Sequence, residues 1–191
     1  EEHGPAVDES IDGTPVVVVG LHSQLPVVAA AVAAARPACG VAYVMTDGGA
    51  LPLAPSDVVA DLVDRSLLAG TVTAGHAFGG DLEALNVPSA LVSARHRLDA
   101  EVIVVGMGPG VAGTGTRLGY TALEVAPALD AVAWLGGRPI ACLRAGSADA
   151  RPRHQGVSHH TRTALEAVRS EVDVAVPPGI ESVPGRYRWH E

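Results

Sequence analysis

The 191-residue chain contains no lysine, and all thirteen of its basic residues are arginine. That one absence removes several chemistries. A phosphate-binding P-loop places a lysine on the β- and γ-phosphates, pyridoxal enzymes form a lysine Schiff base, and protein kinases use a strand lysine. Cysteine is nearly absent too. Cys39 and Cys142 lie far apart and form no C-x-x-C pair, so neither a disulfide framework nor a cysteine-based zinc site is suggested and a reducing cytoplasm fits best. Although hydrophobic residues make up 48% of the chain and mean hydropathy is +0.26, the longest apolar run covers only residues 27–35. Spanning a bilayer takes ~20 apolar residues, so a soluble protein without membrane partners is expected. Aromatic residues are 3% of the total, and the sequence contains neither a G-x-S-x-G elbow nor H-E-x-x-H or H-x-H spacing. The first residue is Glu1 and no signal-peptide pattern follows, from which a fragment or processed form of a longer protein is expected.

The net charge of −8 argues against a general nucleic-acid surface, which needs clustered cations facing the phosphates. The charge is unevenly spread. Residues 144–162 hold four arginines and one acid, 4 − 1 = +3, leaving −8 − 3 = −11 on the rest. One basic island in an acidic chain attracts a small anion.

Short runs rich in Val, Ile and Ala, bounded by turn residues, predict strands at 15–19, 40–45, 71–74, 101–105, 139–143 and 172–176. Helical spacing falls between them at 25–36, 56–68, 82–98, 119–135 and 161–170, with Ser56 placed as an N-cap and Pro88 placed to kink or restart the third helix. Strands alternating with helices predict a doubly wound α/β domain, Rossmann-like, with a mainly parallel sheet of about six strands and helices on both faces. Residues 1–14 are expected to be a flexible lead-in, 15–176 a single domain and 177–191 a surface tail that packs Tyr187 and Trp189 on the domain.

Ligands of open parallel sheets bind beyond the carboxyl ends of the strands, so the residues following each strand are the candidates. They read GLHSQ at 20–24, TDGG at 46–49, GHAFGGD at 75–81, GMGPGVAGTGTRLGY at 106–120 and RAGSADARPRHQGVSHHT at 144–161. The opposite loops, RPACG and LGGRP, offer little chemistry. Six glycines in 106–120, ahead of a helix, suit an anion cradle: Gly108, Gly110, Gly113 and Gly115 allow backbone N–H groups to approach, Thr114 and Thr116 supply hydroxyls, and Arg117 a fork. Its literal G-x-G-x-x-G is weak evidence for a dinucleotide, because the loop is too long and belongs to the fourth strand.

Arg151 and Arg153 are better explained by an anionic ligand than by internal pairing, since only Asp149 is near in sequence. Ser158 or His159 can cap the helix beginning near Thr161. His159 and His160, being adjacent, are expected to point about 100° apart on a helix, so that at most one joins His154. Asp47 is either a functional carboxylate or a turn former, and Asp81 is expected to be a helix N-cap. His22 and His76 directly follow strands and are candidate acid/base groups.

The segments GLHSQLP, AYVMTDGGALPL, TAGHAFGGDLEALN, VVGMGPGVAGTGTRLGYTALE and RPRHQGVSHHT together resemble an uncharacterised bacterial family of domains of unknown function, over roughly residues 13–170. The resemblance implies that the chain is the C-terminal α/β half of a longer protein, preceded by a small β-rich segment that would be its partner. It implies no activity.

Three functional expectations follow. One is an enzyme, transferase or hydrolase, acting on an anionic metabolite with phosphorylated compounds among the candidates; the 108–117 loop, Arg151, Arg153, Ser158 and His159 hold the anion, and His76 or His154 acts as general acid/base with Asp47. The second is a metal-dependent hydrolase with a divalent cofactor held among His22, Asp47, His76 and His154. The third is a non-catalytic ligand sensor. A homodimer is a candidate assembly, given the many small residues and few aromatics.

Overall fold

The computed structural model describes residues 9–176 and 180, together with the backbone of 187–190. Its centre is a sheet in which every neighbouring pair is parallel. Seven strands lie within residues 15–175: β1 (Pro15–Val18), β2 (Val41–Thr46), β3 (Gly70–Ala74), β4 (Leu82–Ala84), β5 (Val102–Met107), β6 (Arg138–Ala141) and β9 (Val172–Ala175). The strand β10 (Tyr187–His190) adds an eighth at one edge, giving the order β10-β9-β6-β1-β5-β2-β3-β4. Strands β7 (Ala145–Gly146) and β8 (Gly156–Val157) form a separate small hairpin.

Both central strands β2 and β5 are buried at all positions, which is why they read as unbroken apolar runs rather than alternating ones. The side chains divide by parity. Tyr43, Met45 and Val104 pack with helices α1 (Leu25–Ala35) and α2 (Asp57–Asp64). Val44, Ile103 and Val105 pack on the other face with α3 (Val87–Arg97), α4 (Val125–Trp134) and α5 (His159–Ala167). The chain is therefore an α/β, Rossmann-like fold with helices on both faces. None of the helices among the described residues is long and apolar enough to cross a membrane.

All six expected strands are present, and the differences have local causes. The segment expected as the start of the third helix is β4, paired with β3. Pro88 lies in the first turn of α3 and does not kink it, because Asn86 is the N-cap and its side chain accepts the Ser89 N–H at 2.9 Å; a proline in the first turn lacks only an N–H the helix would leave unused. Asp81 is not a helix cap. Its Oδ2 accepts both the N–H and the hydroxyl of Thr71 at 2.8 Å, fastening the β4 connection to β3. The start of the fourth helix is a 3-10 turn, Thr121–Glu124. Part of the expected tail is strand β10; residues 1–8 of the lead-in, and the packing of the Tyr187 and Trp189 side chains, lie outside the described residues.

The topology sets where a crevice opens. Strand β1 leads into α1 on one face, whereas its neighbours β5 and β6 lead into α4 and α5 on the other. Connections diverging from adjacent strands open a crevice at their carboxyl ends. A Cβ on Gly106 would collide with the Val19 side chain, so glycine is what allows β1 and β5 to lie this close where the crevice begins.

Candidate functional site

The crevice carries a cleft of about 320 Å³, formed by the loop after β5, the hairpin after β6 and the start of α5. The β5 loop is shaped by its own hydrogen bonds. Thr114 N donates to Gly119 O at 2.7 Å, Gly119 N donates to Thr116 Oγ1 at 3.1 Å, and Thr121 N donates to Ala112 O at 3.0 Å. A Cβ at Gly119 would fall on the Thr114 and Thr116 hydroxyls, so this position must be glycine for the loop to close. Arg117 leaves the loop to pair with Glu166 of α5, latching the two walls together.

The second wall begins at Arg144. Its carbonyl accepts the Ser158 N–H at 2.9 Å, closing the β7–β8 hairpin around the 3-10 turn Pro152–His154. Asp149 braces the hairpin from within. It accepts Arg151 Nε at 2.9 Å, Arg151 Nη2 at 2.8 Å and Arg144 Nη2 at 3.3 Å, and the Arg151 guanidinium holds its carboxyl well below the usual carboxylate range. Arg153 is exposed, lines the cleft and has no ion-pair partner among the described residues.

At the inner end of the cleft His154, His159 and His160 come together, with one ring nitrogen of each within 4.8 Å of the others. Ring centroids are 5.1 Å apart for His154 and His159, 5.0 Å for His154 and His160, and 4.3 Å for His159 and His160. His154 Nδ1 lies 2.7 Å from Ser158 Oγ, which also accepts the His160 N–H at 3.2 Å as the N-cap of α5. Tyr120 stacks flat on His160 at 4.1 Å and donates its hydroxyl to the His160 carbonyl at 2.9 Å. Among the described residues His159 Nε2 and His160 Nδ1 are buried without a hydrogen-bond partner.

Electrostatics keep the cluster neutral. Burial lowers the pKa of His154, and Arg144 and Arg151 add to it. Burial also lowers His159, with Arg153 and Arg144 contributing. His160 falls to about 4, through burial first and then its two histidine neighbours. At neutral pH all three rings therefore offer a lone pair.

The other sequence candidates distribute as follows. Gly113, Gly115 and Thr116 line the cleft; Gly108 is buried against Met45, and Gly110 is an exposed turn glycine at φ +97°. The hydroxyls of Thr114 and Thr116 close the loop, where the sequence led us to expect them on the anion. Arg117 is spent on Glu166, and Arg151 pairs with Asp149, against the expectation that internal pairing would not explain it; Arg151 nevertheless borders the cleft. Asp47 Oδ2 accepts the His76 N–H at 3.3 Å beyond β2 and β3, and neither residue lines the cleft that holds His154. His22 is buried with both nitrogens engaged, Nδ1 at 3.2 Å from the Tyr43 hydroxyl and Nε2 at 2.7 Å from Ser56 Oγ. Both ring nitrogens are therefore engaged within the fold, away from the cleft. His160 joins His154 and His159, contrary to the expectation drawn from their adjacency. In the first turn of α5 the rings swing toward each other from neighbouring positions, and the hairpin brings His154 against both. Arg144 and Tyr120 were not singled out as site residues; their signal was position, Arg144 just past β6 and Tyr120 closing the glycine-rich loop.

A parallel α/β fold with a basic, histidine-bearing cleft at its topological switch defines a class of architecture in which small-molecule sites recur. Within it the chain belongs to the family described as protein of unknown function (DUF3866), whose model matches residues 3–184, nearly the whole chain, and does not mark it as a C-terminal half. No curated protein and no solved structure matches it.

Proposed function

We propose that the protein is an enzyme that binds a small anionic metabolite, a phosphorylated one among the candidates, in the cleft between the glycine-rich loop and the β7–β8 hairpin. The observation that carries this reading is the lining itself: Arg144, Arg151 and Arg153 border one cavity with three neutral imidazoles, and no carboxylate lines it among the described residues. Arg153 is the anion's main partner because its guanidinium has no ion-pair partner among the described residues, while Arg144 and Arg151 are held in place by Asp149. The first turn of α5 adds the positive end of a helix. The histidines face the bound group and supply proton transfer or ligation, in place of His76 and Asp47, which lie apart from the cleft. A reducing, cytoplasmic setting and a bacterial source belong to the same proposal, supported by two free cysteines, Cys39 and Cys142, and by the resemblance drawn from the sequence; so do a β-rich partner segment and a homodimer.

The test is a thermal-shift panel of inorganic phosphate, sugar phosphates, nucleotides and dicarboxylates on the purified chain, followed by turnover assays on whatever stabilises it. Stabilisation by one class of anion is expected, with conversion of that ligand. Stabilisation without turnover would favour a ligand sensor over an enzyme, and no response from any anion would overturn the reading.

A further inference from the structure

We propose that His154, His159 and His160 form a binding site for one divalent transition-metal ion of the zinc class, with a fourth position open to the arginine-lined cleft. Such an ion resolves what the hydrogen bonding of the cluster leaves unexplained. An imidazole nitrogen buried without a partner is costly, and among the described residues two occur here on adjacent residues, His159 Nε2 and His160 Nδ1. The third ring is poised the same way: Ser158 Oγ occupies His154 Nδ1, leaving Nε2 for a ligand. One ion accepts all three lone pairs.

Bonds of about 2.0–2.1 Å in a tetrahedral site place ligand nitrogens about 3.4 Å apart. The present spread, within 4.8 Å, closes to that by small side-chain rotations. The surrounding contacts are those a metal site needs. Ser158 orients His154, as outer-shell groups orient ligating histidines. Tyr120 holds the His160 ring by stacking and its backbone by a hydrogen bond. Three histidines with no carboxylate leave one coordination position free, the arrangement of catalytic rather than structural zinc sites.

Arg144 and Arg153 beside a dication demand an anion, so the fourth ligand is hydroxide, phosphate or a carboxylate. In this respect the inference deepens the proposed function and rests on it for the identity of the fourth ligand, whereas metal binding itself rests on the imidazoles alone.

The experiment is a titration of the metal-free full chain with Co²⁺ and Zn²⁺, read by calorimetry and by the visible absorption of tetrahedral Co²⁺. One equivalent is expected to bind, with intense visible bands. His159→Ala should abolish the bands, and Ser158→Ala should weaken binding about 10–100-fold. His76→Ala and His96→Ala should bind as the parent does. Circular dichroism confirms that each variant is folded; His160→Gln serves if His159→Ala is not. No saturable binding at one equivalent, or binding unchanged by His159→Ala and His160→Gln, would overturn the site. A parallel titration with inorganic phosphate, with and without metal, separates the two readings. Phosphate binding without metal binding sinks the metal site alone, and metal binding without any anion effect sinks the anion site alone.

Discussion

The Ser158 hydroxyl lies 2.7 Å from His154 Nδ1 and also caps α5, accepting the N–H of His160 at 3.2 Å. One buried oxygen thus joins the hairpin to the helix across the cleft. Ser56 repeats the arrangement elsewhere: it caps α2 through Val59 N–H and lies 2.7 Å from His22 Nε2. In both places a helix cap holds a buried imidazole.

Replacing that oxygen removes a cap and leaves a buried imidazole nitrogen unpaired. Ser158→Ala should therefore lower unfolding stability by roughly 2–4 kcal/mol, the cap and the orphaned nitrogen together. Urea unfolding of the two proteins measures it. A loss no larger than that of an exposed serine would mean that the hydroxyl does not join the two elements.

Arg151 and Arg153 should separate structure from binding. Arg151 braces the hairpin through Asp149, so Arg151→Ala should increase exchange of the hairpin amides. Arg153 makes no such pair among the described residues, and Arg153→Ala should leave both melting temperature and amide exchange unchanged while weakening anion binding. Hydrogen-exchange mass spectrometry of the two variants checks the contrast.

Two glycines should resist the smallest substitution. Gly106→Ala drives a Cβ into Val19, and Gly119→Ala drives one into the Thr114 and Thr116 hydroxyls. Overpacking of a core costs roughly 1–3 kcal/mol, so Gly106→Ala should show that loss in denaturant unfolding. Gly119→Ala sits on the surface loop and should instead disturb the cleft, seen as weakened ligand binding with a near-normal melt.

Stability should fall in mild acid, in part through His22. Burial lowers its pKa below the ordinary 6.5, against a smaller opposing contribution from the Met107 carbonyl. The native state then binds fewer protons than the unfolded chain. The stability it contributes is complete above the unfolded pKa and is lost as pH drops toward the folded value. Urea titrations between about pH 5 and 7.5 should show stability rising with pH, with a shallower slope in His22→Gln. An equal slope in the variant would remove His22 from the account.

Much of the fold was legible because burial on both faces writes the parallel strands as apolar runs; β2 and β5 are plain in the sequence. The misread parts obey short-range rules that tertiary pairing overrode. Leu82–Ala84 carries helical spacing yet gains backbone partners in β3, and β10 lies in a stretch with no apolar period. The cleft was legible as a location, since the loops richest in polar and glycine residues follow the carboxyl ends of strands. Its composition was not. Helical geometry separates His159 from His160 by about 100° at the backbone, but long side chains at a helix start can still converge, as the 4.3 Å between their rings shows. The pairings of Arg117 with Glu166 and of Arg151 with Asp149 likewise depend on the fold of the hairpin and loop, which no spacing rule encodes.

The most direct test of the cleft is a calorimetric titration of inorganic phosphate, then of any phosphorylated or carboxylated compound that stabilises the protein, into the parent chain and into Arg153→Ala. The account predicts saturable binding at one site, weakened by roughly 10–100-fold in the variant, the range for losing a charge-assisted hydrogen bond. Equal affinity in the two proteins, or no saturable binding by any of these anions, would contradict it.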